Sequence, residues 1–406
     1  MLRSTIQTLR RLPPQLQALF VTTLIFRAGT MAFPFLSAYL IGNGGLSAGE
    51  AGAIVGAYGV GALLADLAAG PLLRLAGGHT VMVAGLISNG VLVAVMPFLE
   101  GAFLLLVATV VWGFCYETFT PASYTTIVQN CDESIRKVAF SAHRLAINLG
   151  MAVGPAVGGL LYAVQPTLLF WVNAVVVLAA AGFLLSRRFE SAPTTSAPPA
   201  RPGRLVSSTW RGESRFWTFF VLSLPIHVAF ALPPVFLSAF VVIERELSSN
   251  WVGAIFAFNA ALIVLCEVPL NTAMRTMSHN ASLVIGYALT AAGFALMGLM
   301  GSGWGLVAAT AVWSAAEMIV FPALMHYAGD ISEPEIVGRN MGLYSAGVNV
   351  GLIAVPSLAL TWANSMGPGS PWLIAAALTA GATVLIVAVH RAGALWLTPS
   401  WARVAE

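Results

Sequence analysis

One residue pattern occurs twice in this chain, in the same order and at a constant spacing of 201 positions. Each copy, over 112–155 and 313–356, holds an apolar stretch, a short polar loop and a second apolar stretch with glycines. The chain is therefore predicted to consist of two similar halves in parallel order, which is typical of membrane transporters. The pairs that keep the spacing are Trp112 with Trp313, Pro121 with Pro322, Asn148 with Asn349, Gly150 with Gly351, and Pro155 with Pro356.

The same spacing relates segments nearer the start of each half. The four residues Phe35–Ala38 recur as Phe236–Ala239. Single alanine or leucine matches are expected by chance in an apolar chain, but a four-residue identity together with matched charges is not. We therefore interpret the pattern as a duplication of one structural unit. The charged pairs are Asp66 with Glu267 and Arg74 with Arg275.

The composition indicates an integral membrane protein. Of the 406 residues, 58% are apolar and only 9% are charged, whereas a soluble protein carries roughly 25% charged residues. The net charge of +3 is too small to suggest nucleic acid as a partner. The three cysteines, Cys115, Cys131 and Cys266, fit neither a disulfide framework nor a metal site.

Twelve stretches are long and apolar enough to cross a bilayer as helices, which takes about 20 residues each. They fall as six plus six, so the predicted fold is an all-α membrane protein of two pseudo-symmetric six-helix bundles. The predicted domains are 1–186 and 215–406, joined by a linker at 187–214 that is rich in Pro, Ser, Thr and Arg. The predicted spans, numbered one to twelve, are 15–41, 49–75, 79–99, 102–125, 137–163, 166–186, 215–242, 250–275, 281–300, 303–328, 338–364 and 370–392.

The basic residues predict the orientation in the membrane. Among the loops of one side only Arg245 is basic, whereas the opposite side holds nearly all the other arginines, including those of the linker and of the basic N-terminal stretch. Because basic loops stay in the cytoplasm, both termini and the linker are expected there. The apolar stretch after the basic start is too long for a signal peptide. We expect a multi-pass protein of the bacterial inner membrane.

Four ionisable residues are candidates for substrate binding and proton coupling: Arg27, Glu117, His227 and Glu317. Arg27 lies roughly 18 Å into the first span, at 1.5 Å per residue. A charge at such a depth costs about 2.5–3.5 kcal/mol on insertion scales, so it should face a cavity or a partner. For His227, a polar residue satisfied within a helix seam is an equal alternative.

A second group of charged residues lies nearer the span ends. Asp66 and Glu267 occupy matched positions and could brace the neighbouring loops. His143 and Arg144 could lie at the membrane interface or pair with acidic residues of a loop. The predicted role of the group is in gating or in contacts between the halves; its members are Asp66, Arg74, Arg144, Glu267 and Arg275.

A glycine-rich motif stands in the fifth span. Small residues on one helix face let two backbones approach closely, and a proline interrupts the local hydrogen-bond ladder. The plain interpretation is helix packing, and the segment could also move. Its members are Asn148, Gly150, Gly154, Pro155, Gly158 and Gly159.

The sequence offers no motif for ATP use or for enzyme catalysis. A phosphate-binding Gly-Lys-Ser/Thr loop, an HExxH motif and a nucleophile elbow are all missing from it. Energy for pumping would then come from an ion gradient, and no cofactor is expected. A proton is the simplest ion, because carboxylates in the membrane can change charge by taking one.

These features together resemble the major facilitator superfamily. The run from Asn148 to Gly159 is similar to the fifth-span motif of that family's drug/proton antiporters. The loop 70–79, GPLLRLAGGH, matches both glycines of the family's loop signature, but Arg74 stands where the family has Asp. The resemblance implies a central cavity lined by spans one, four, seven and ten, which carry the four coupling candidates. It places Asp66 and Glu267 on flanking spans, where the halves meet.

The resulting functional prediction is a secondary transporter that exports a small amphipathic or lipophilic compound by proton antiport, as in multidrug efflux. The main alternative is a proton-coupled uptake symporter for a metabolite. A non-transporting membrane receptor or scaffold is a more remote alternative, because the loops are short. The expected partners are a small-molecule substrate, protons and the lipid bilayer, and we expect a monomer without nucleic acid.

Overall fold

The computed structural model describes residues 13–130, 133–187, 210–274, 276–331 and 337–391. Over these ranges the chain is helical, with short turns and loops between helices. Two 3-10 turns, Phe33–Phe35 and Met96–Phe98, and one π-helical segment, Ala239–Glu244, interrupt the α-helices. The α-helices are α1 (Pro14–Ala28), α2 (Leu36–Gly42), α3 (Ala48–Val95), α4 (Ala102–Glu117), α5 (Phe119–Gln129), α6 (Glu133–Val164), α7 (Leu168–Leu185), α8 (Trp210–Ser238), α9 (Asn250–Ala273), α10 (His279–Leu299), α11 (Gly303–Asp330), α12 (Val337–Met366) and α13 (Ser370–Arg391).

The predicted all-α membrane fold is confirmed. Within the described ranges, ten helical segments are long and apolar enough to cross a membrane. One of them, Ala48–Phe98, has 51 residues, or about 77 Å of helix, which exceeds a hydrocarbon core of about 30 Å. Gly77, with φ 75° and ψ 159°, breaks this segment at the loop predicted between spans two and three. Each of the twelve predicted spans lies largely in helix, and α12 accounts for the eleventh.

The first and seventh spans are both irregular near prolines. In the first, α1 ends at Ala28 and the chain continues through the 3-10 turn that contains Pro34 before α2 begins. In the seventh, α8 contains Pro225, Pro233 and Pro234, and it passes into the π-helical segment. Proline removes a backbone donor and clashes with the preceding turn, so a straight α-helix is not expected at either place.

The chain forms two compact units. The first comprises Met1–Pro198 and Val235–Ala260, and the second comprises Pro199–Pro234 and Ala261–Glu406. Most of the predicted linker 187–214 falls outside the described residues. The domain boundaries at 186 and 215 therefore stay a prediction.

Within the first unit, equivalent residues of the two repeats touch each other. The Oγ atoms of Ser37 and Ser238 lie 3.0 Å apart, and both side chains are buried. A Cβ atom placed on Gly42 would lie 3.3 Å from Cδ1 of Ile243. Both pairs keep the spacing of 201 positions. A contact between equivalent residues lies on the two-fold axis that relates them, so a local pseudo-two-fold axis passes between α2 and the π-helical segment.

The Ser37–Ser238 contact predicts a cross-link. Ser37→Cys combined with Ser238→Cys, in a chain whose native cysteines are changed to serine, should form a disulfide under mild oxidation, because the two Oγ atoms are only 3.0 Å apart. A protease site inserted in the linker 187–214 makes the bond visible, since the cut halves stay together on a non-reducing gel.

Ser47→Cys paired with Ser238→Cys serves as the control, because Ser47 is exposed at the start of α3 while Ser238 is buried. Separation of the halves in the Ser37/Ser238 double variant would show that these segments do not meet.

Candidate functional site

Arg27 lies in the last turn of α1 and is held by hydroxyl groups of the fourth span. Its Nη1 donates to Tyr116 Oη at 2.5 Å, and its Nη2 donates to Thr120 Oγ1 at 2.9 Å. Tyr116 Oη also lies 3.1 Å from Thr30 Oγ1. The side chain is only 9% exposed, and its Nε has no hydrogen-bond partner among the residues that the structure describes. The buried guanidinium is therefore bound by neutral hydroxyl groups, and its Nε–H group is not used in these hydrogen bonds.

Two aromatic rings also contact the guanidinium of Arg27. Arg27 Cζ lies 4.9 Å from the ring centroid of Tyr116 and 5.2 Å from that of Phe26. The Phe26 ring in turn packs on Phe119, with centroids 4.9 Å apart. The negative face of an aromatic ring attracts a cation, and the attraction is about 2 kcal/mol when the pair is desolvated. The rings thus offset part of the cost of burying the charge.

Glu117 joins this group, so the structure brings together two of the predicted coupling residues. Its half-buried side chain lies close enough to Arg27 for a direct charge interaction, and it hydrogen-bonds with Thr120. Glu117 is the last residue of α4, and α5 begins at Phe119. Tyr116 and Glu117 are consecutive, and both are oriented toward the guanidinium at this helix junction. We call Arg27, Tyr116, Glu117 and Thr120 the Arg27 cluster.

The glycine motif of α6 sets the position of Arg27. A Cβ atom on Gly150 would lie 2.5 Å from Arg27 Cβ, and one on Gly154 would lie 2.8 Å from the carbonyl oxygen of Thr30. One turn further, a Cβ atom on Gly158 would lie 3.0 Å from the Phe35 ring. The glycines of α6 are therefore in close contact with the first span from the end of α1 to the 3-10 turn.

The other members of the motif have different neighbours. A Cβ atom on Gly159 would lie 2.8 Å from the carbonyl oxygen of Ser249, whose own Oγ donates to the Gly159 carbonyl at 2.9 Å. Pro155 is buried within α6, and Asn148 is half-buried on the same helix. The motif thus contacts the first span with one set of glycines and the start of α9 with another.

His143, for which the sequence suggests a place at the membrane interface or a pairing with loop acids, is buried within the first unit. Its Nδ1 lies 3.3 Å from Thr23 Oγ1, and its Nε2 lies 3.1 Å from Ser123 Oγ. The Ser123 hydroxyl already donates to the Thr120 carbonyl at 2.7 Å. A hydroxyl has one hydrogen, so in the tautomer with Nε2–H the ring donates to Ser123 and Nδ1 accepts from Thr23. His143 is thereby linked to the Arg27 cluster through the backbone of Thr120.

The remaining two coupling candidates belong to the second unit. His227 on α8 is 3% exposed, and Glu317 on α11 is half-buried. At the spacing of 201, Glu317 corresponds to Tyr116 and not to Glu117. Glu117 and Glu317 therefore stand one residue out of register and are not equivalent carboxylates of the two halves.

The predicted gating residues have mixed surroundings. Asp66, Arg74 and Arg144 are exposed, while Glu267 is half-buried and its carbonyl accepts from Asn271 Nδ2 at 2.9 Å. Asp66 lies close enough to Glu117 for a charge interaction. Arg275 lies outside the described residues. Roles of this group in gating stay a prediction.

The sequence prediction missed the hydroxyl groups that hold Arg27. Among the eight tyrosines of the chain nothing in the sequence marks Tyr116 as a partner of Arg27, and nothing marks Thr30 or Thr120. The signal that was available is the adjacency of Tyr116 to Glu117. Which hydroxyl faces Arg27 depends on the packing of α1 against the α4–α5 junction, which sequence spacing does not give.

Comparison with known sequences points to one family. The sequence model of the Major Facilitator Superfamily matches residues 18–276. An uncharacterized MFS-type transporter of Bacillus subtilis, YqjV, is 23% identical over 320 residues, which is 78% of each chain. An uncharacterized MFS-type transporter of Mycobacterium tuberculosis is 24% identical over 352 residues, or 81% of each chain.

Solved structures show the same fold at low sequence identity. The crystal structure of the peptide transporter POT in complex with sulfate superposes with a TM-score of 0.78 at 15% identity, covering 95% of this chain and 98% of that one. The nucleoside transporter NupG gives a TM-score of 0.77 at 14% identity, covering 92% and 99%.

The close packing at Gly150 predicts a position-specific cost. Gly150→Ala should destabilise the protein by about 1–3 kcal/mol, because the new methyl group would overlap Arg27 Cβ. Gly182→Ala is the matched control: no atom of the described residues would lie within 4 Å of the added methyl group, and α7 should gain up to about 1 kcal/mol from the better helix former. Thermal unfolding of both purified variants tests this contrast, and equal melting temperatures would contradict it.

The hydrogen bond from Arg27 predicts a second stability effect. Tyr116→Phe removes the acceptor of Nη1 and should cost about 1–3 kcal/mol, since a buried charged donor loses its partner. Tyr124→Phe removes the same atom from a side chain that is 42% exposed and should be nearly neutral. Thermal unfolding again provides the measurement, and an unaffected Tyr116→Phe variant would mean that Arg27 finds another acceptor.

Proposed function

Since this chain belongs to the Major Facilitator Superfamily and is a secondary transporter, we propose that it exports a small amphipathic or lipophilic compound across the bacterial inner membrane in exchange for protons. The bacterial relatives carry the general description of MFS-type transporters, which is compatible with export and with uptake. The specific proposal rests on the chemistry of the Arg27 cluster.

One observation carries the proposal: a half-buried carboxylate, Glu117, lies beside a buried guanidinium. With Glu117 ionised, the pair is neutral. With Glu117 protonated, the cluster has a net charge of +1. In a setting of low dielectric such a change alters every polar interaction nearby, so one proton can control whether a substrate binds.

Antiport follows if the substrate and the proton compete for Glu117. In the inward-facing state, Glu117 gives its proton to the cytoplasm and the ionised carboxylate holds the polar or cationic end of the substrate. In the outward-facing state, a proton binds Glu117 and the substrate leaves. Arg27 opposes the charged substrate end and favours the ionised carboxylate, so it keeps substrate binding weak enough for release.

The aromatic side chains near the Arg27 cluster favour an amphipathic or lipophilic substrate. Phe33, Tyr58 and Trp112 form an aromatic group in the same unit, with the centroids of Phe33 and Tyr58 4.1 Å apart and those of Tyr58 and Trp112 5.8 Å apart. The Tyr58 ring also lies 5.9 Å from that of Tyr116. A group of aromatic side chains beside a charged cluster suits a compound with an apolar body and a single polar end.

In the second unit we propose that His227 and Glu317 face the same transport path. Residues Asp66, Arg74, Arg144, Glu267 and Arg275 would contribute to gating or to contacts between the halves. The glycine motif of α6 supports export through its resemblance to the antiporter motif, and its close packing on α1 would transmit movements of α6 to Arg27.

A second candidate function is proton-coupled uptake of an organic anion. It is favoured by the Nε of Arg27, which has no partner within the described part of the chain, because a buried guanidinium with a free donor suits a carboxylate or phosphate group. An anion at Arg27 and a proton on Glu117 would favour each other electrostatically. They would then move in the same direction, in contrast to antiport.

The central test replaces the proposed proton carrier. In inside-out membrane vesicles that contain the protein, an acidic interior should drive accumulation of ethidium, a lipophilic cation. Glu117→Gln should abolish this accumulation while leaving expression and melting temperature close to those of the parent. Glu100→Gln is the matched control, because Glu100 is an exposed loop glutamate, and it should transport normally.

Ethidium accumulation that survives in Glu117→Gln would remove Glu117 from the mechanism. The second candidate gives a different pattern in right-side-out vesicles with an acidic exterior. There, 2-naphthoate should accumulate in place of ethidium, and Arg27→Met should abolish its accumulation.

A further inference from the structure

Two buried polar side chains of the second unit face each other without hydrogen-bond partners among the described residues. His227 on α8 is 3% exposed, and Tyr344 on α12 is 6% exposed. The unpartnered atoms are Nδ1 and Nε2 of the histidine and Oη of the tyrosine. The two rings meet edge to face, with centroids 4.9 Å apart. Three such atoms in one place are unusual, because each buried unpaired group costs about 1–3 kcal/mol.

The backbones bring this pair together at two glycines of α12. A Cβ atom on Gly351 would lie 2.8 Å from the carbonyl oxygen of His227, and one on Gly347 would lie 3.5 Å from Cδ2 of its ring. Gly351 is the repeat equivalent of Gly150, on which a Cβ atom would lie 2.5 Å from Arg27 Cβ in the first unit. At the spacing of 201, His227 corresponds to Phe26, so it stands one residue before the position equivalent to Arg27.

The surroundings of Tyr344 differ from those of its equivalent in the first half. Tyr344 is the equivalent of His143, whose two ring nitrogens lie within hydrogen-bond distance of Thr23 and Ser123. At the spacing of 201, those hydroxyl residues correspond to Leu224 and Leu324. The first half thus satisfies its buried polar ring with its own hydroxyls, whereas the second half has leucines there. Its polar atoms are left for a molecule that is not part of the chain.

The surroundings of the pair are aromatic and adjoin an apolar cavity. The Phe219 ring stacks on Tyr344, with centroids 6.1 Å apart. Phe219 also belongs to an apolar core around a small cavity of about 10 Å³, together with Leu222, Leu283, Tyr287, Leu324, Tyr327 and Ile386. A polar pair with aromatic and apolar side chains beside it matches the polar end of an amphipathic ligand. An ion is disfavoured, because its desolvation among aromatic rings would be costly.

We propose that His227 and Tyr344 form a hydrogen-bonding subsite for the uncharged, hydroxyl-bearing end of the transported compound. A neutral imidazole offers one donor and one acceptor, and the phenol offers both, so a hydroxyl group can donate to one and accept from the other. The apolar body of the compound packs against the aromatic side chains beside the pair, such as Phe219. The inference rests on the proposed transport function and adds to its substrate class a preference for compounds whose polar end carries a hydroxyl group.

Equilibrium dialysis of the purified full-length protein in lipid nanodiscs tests the subsite with a matched pair of probes. These are 2-naphthol and its methyl ether, which keeps the shape and loses the donor. Empty nanodiscs give the lipid partition to subtract. The parent protein should bind 2-naphthol about tenfold more tightly than the ether, which corresponds to one buried hydrogen bond.

Two variants locate the effect. Tyr344→Phe and His227→Phe should each weaken 2-naphthol binding about tenfold and leave ether binding unchanged. Tyr39→Phe is the matched control: Tyr39 is a half-buried tyrosine on α2 of the first unit, so loss of its hydroxyl should leave the preference for 2-naphthol unchanged.

The binding experiment tests the subsite independently of proton coupling. If the parent binds both probes equally or neither, or if Tyr344→Phe keeps the preference, the subsite does not exist as stated. Binding is measured without a pH gradient, so the failure of proton coupling in Glu117→Gln vesicles and the failure of this subsite are separate results.

Discussion

Burying the guanidinium of Arg27 in a membrane-spanning helix is the constraint on which the first unit depends. The guanidinium is too deeply buried to be solvated by water. The neighbouring helices must therefore supply hydrogen-bond acceptors and aromatic faces. Tyr116 and Thr120 provide the acceptors, and Phe26 and Tyr116 provide the faces. These contacts need α1 to approach the α4–α5 junction on one side and α6 on the other. The glycines of α6 permit the second approach, so the packing motif and the charge are parts of one arrangement.

The duplicated scaffold carries different chemistry in its two halves. Gly150 and Gly351 are equivalent in the repeat and both lie close to a neighbouring helix, the first to Cβ of the charged Arg27 and the second to the backbone carbonyl of His227. Tyr116 corresponds to Glu317, and His143 corresponds to Tyr344. Duplication therefore conserves the places where helices touch, because small residues are required there, while the polar side chains next to these contacts diverge. A transporter of this kind can assign charge control to one half and substrate recognition to the other.

The fold was predictable from the sequence, and the site only in part. Long apolar stretches fix where helices form in a membrane, because every backbone group must be satisfied within its own segment, and all twelve stretches lie largely in helix. Arg27 and Glu117 could be singled out because charge is rare there, and the structure places them together. The hydroxyls of Thr30, Thr120 and Ser123 could not be singled out, since threonine and serine in a membrane helix also satisfy backbone carbonyls of their own turn, as Thr109 and Thr310 do. Which of the two a hydroxyl does depends on the neighbouring helix.

The two halves differ in whether their buried polar rings have hydrogen-bond partners, and this difference suggests a structural role for His143 and a binding role for His227 and Tyr344. His143 has a hydroxyl near each ring nitrogen, so its hydrogen-bonding capacity is used within the first unit and it ties α6 to α1 and α5. Tyr344 occupies the position equivalent to His143, with Leu224 and Leu324 in place of those hydroxyl residues. Its Oη and both ring nitrogens of the neighbouring His227 are unpaired within the part of the chain that the structure describes. Unpaired buried atoms cost stability, which phenylalanine at either place would avoid. A hydroxyl-bearing compound at the proposed subsite would supply the missing partners.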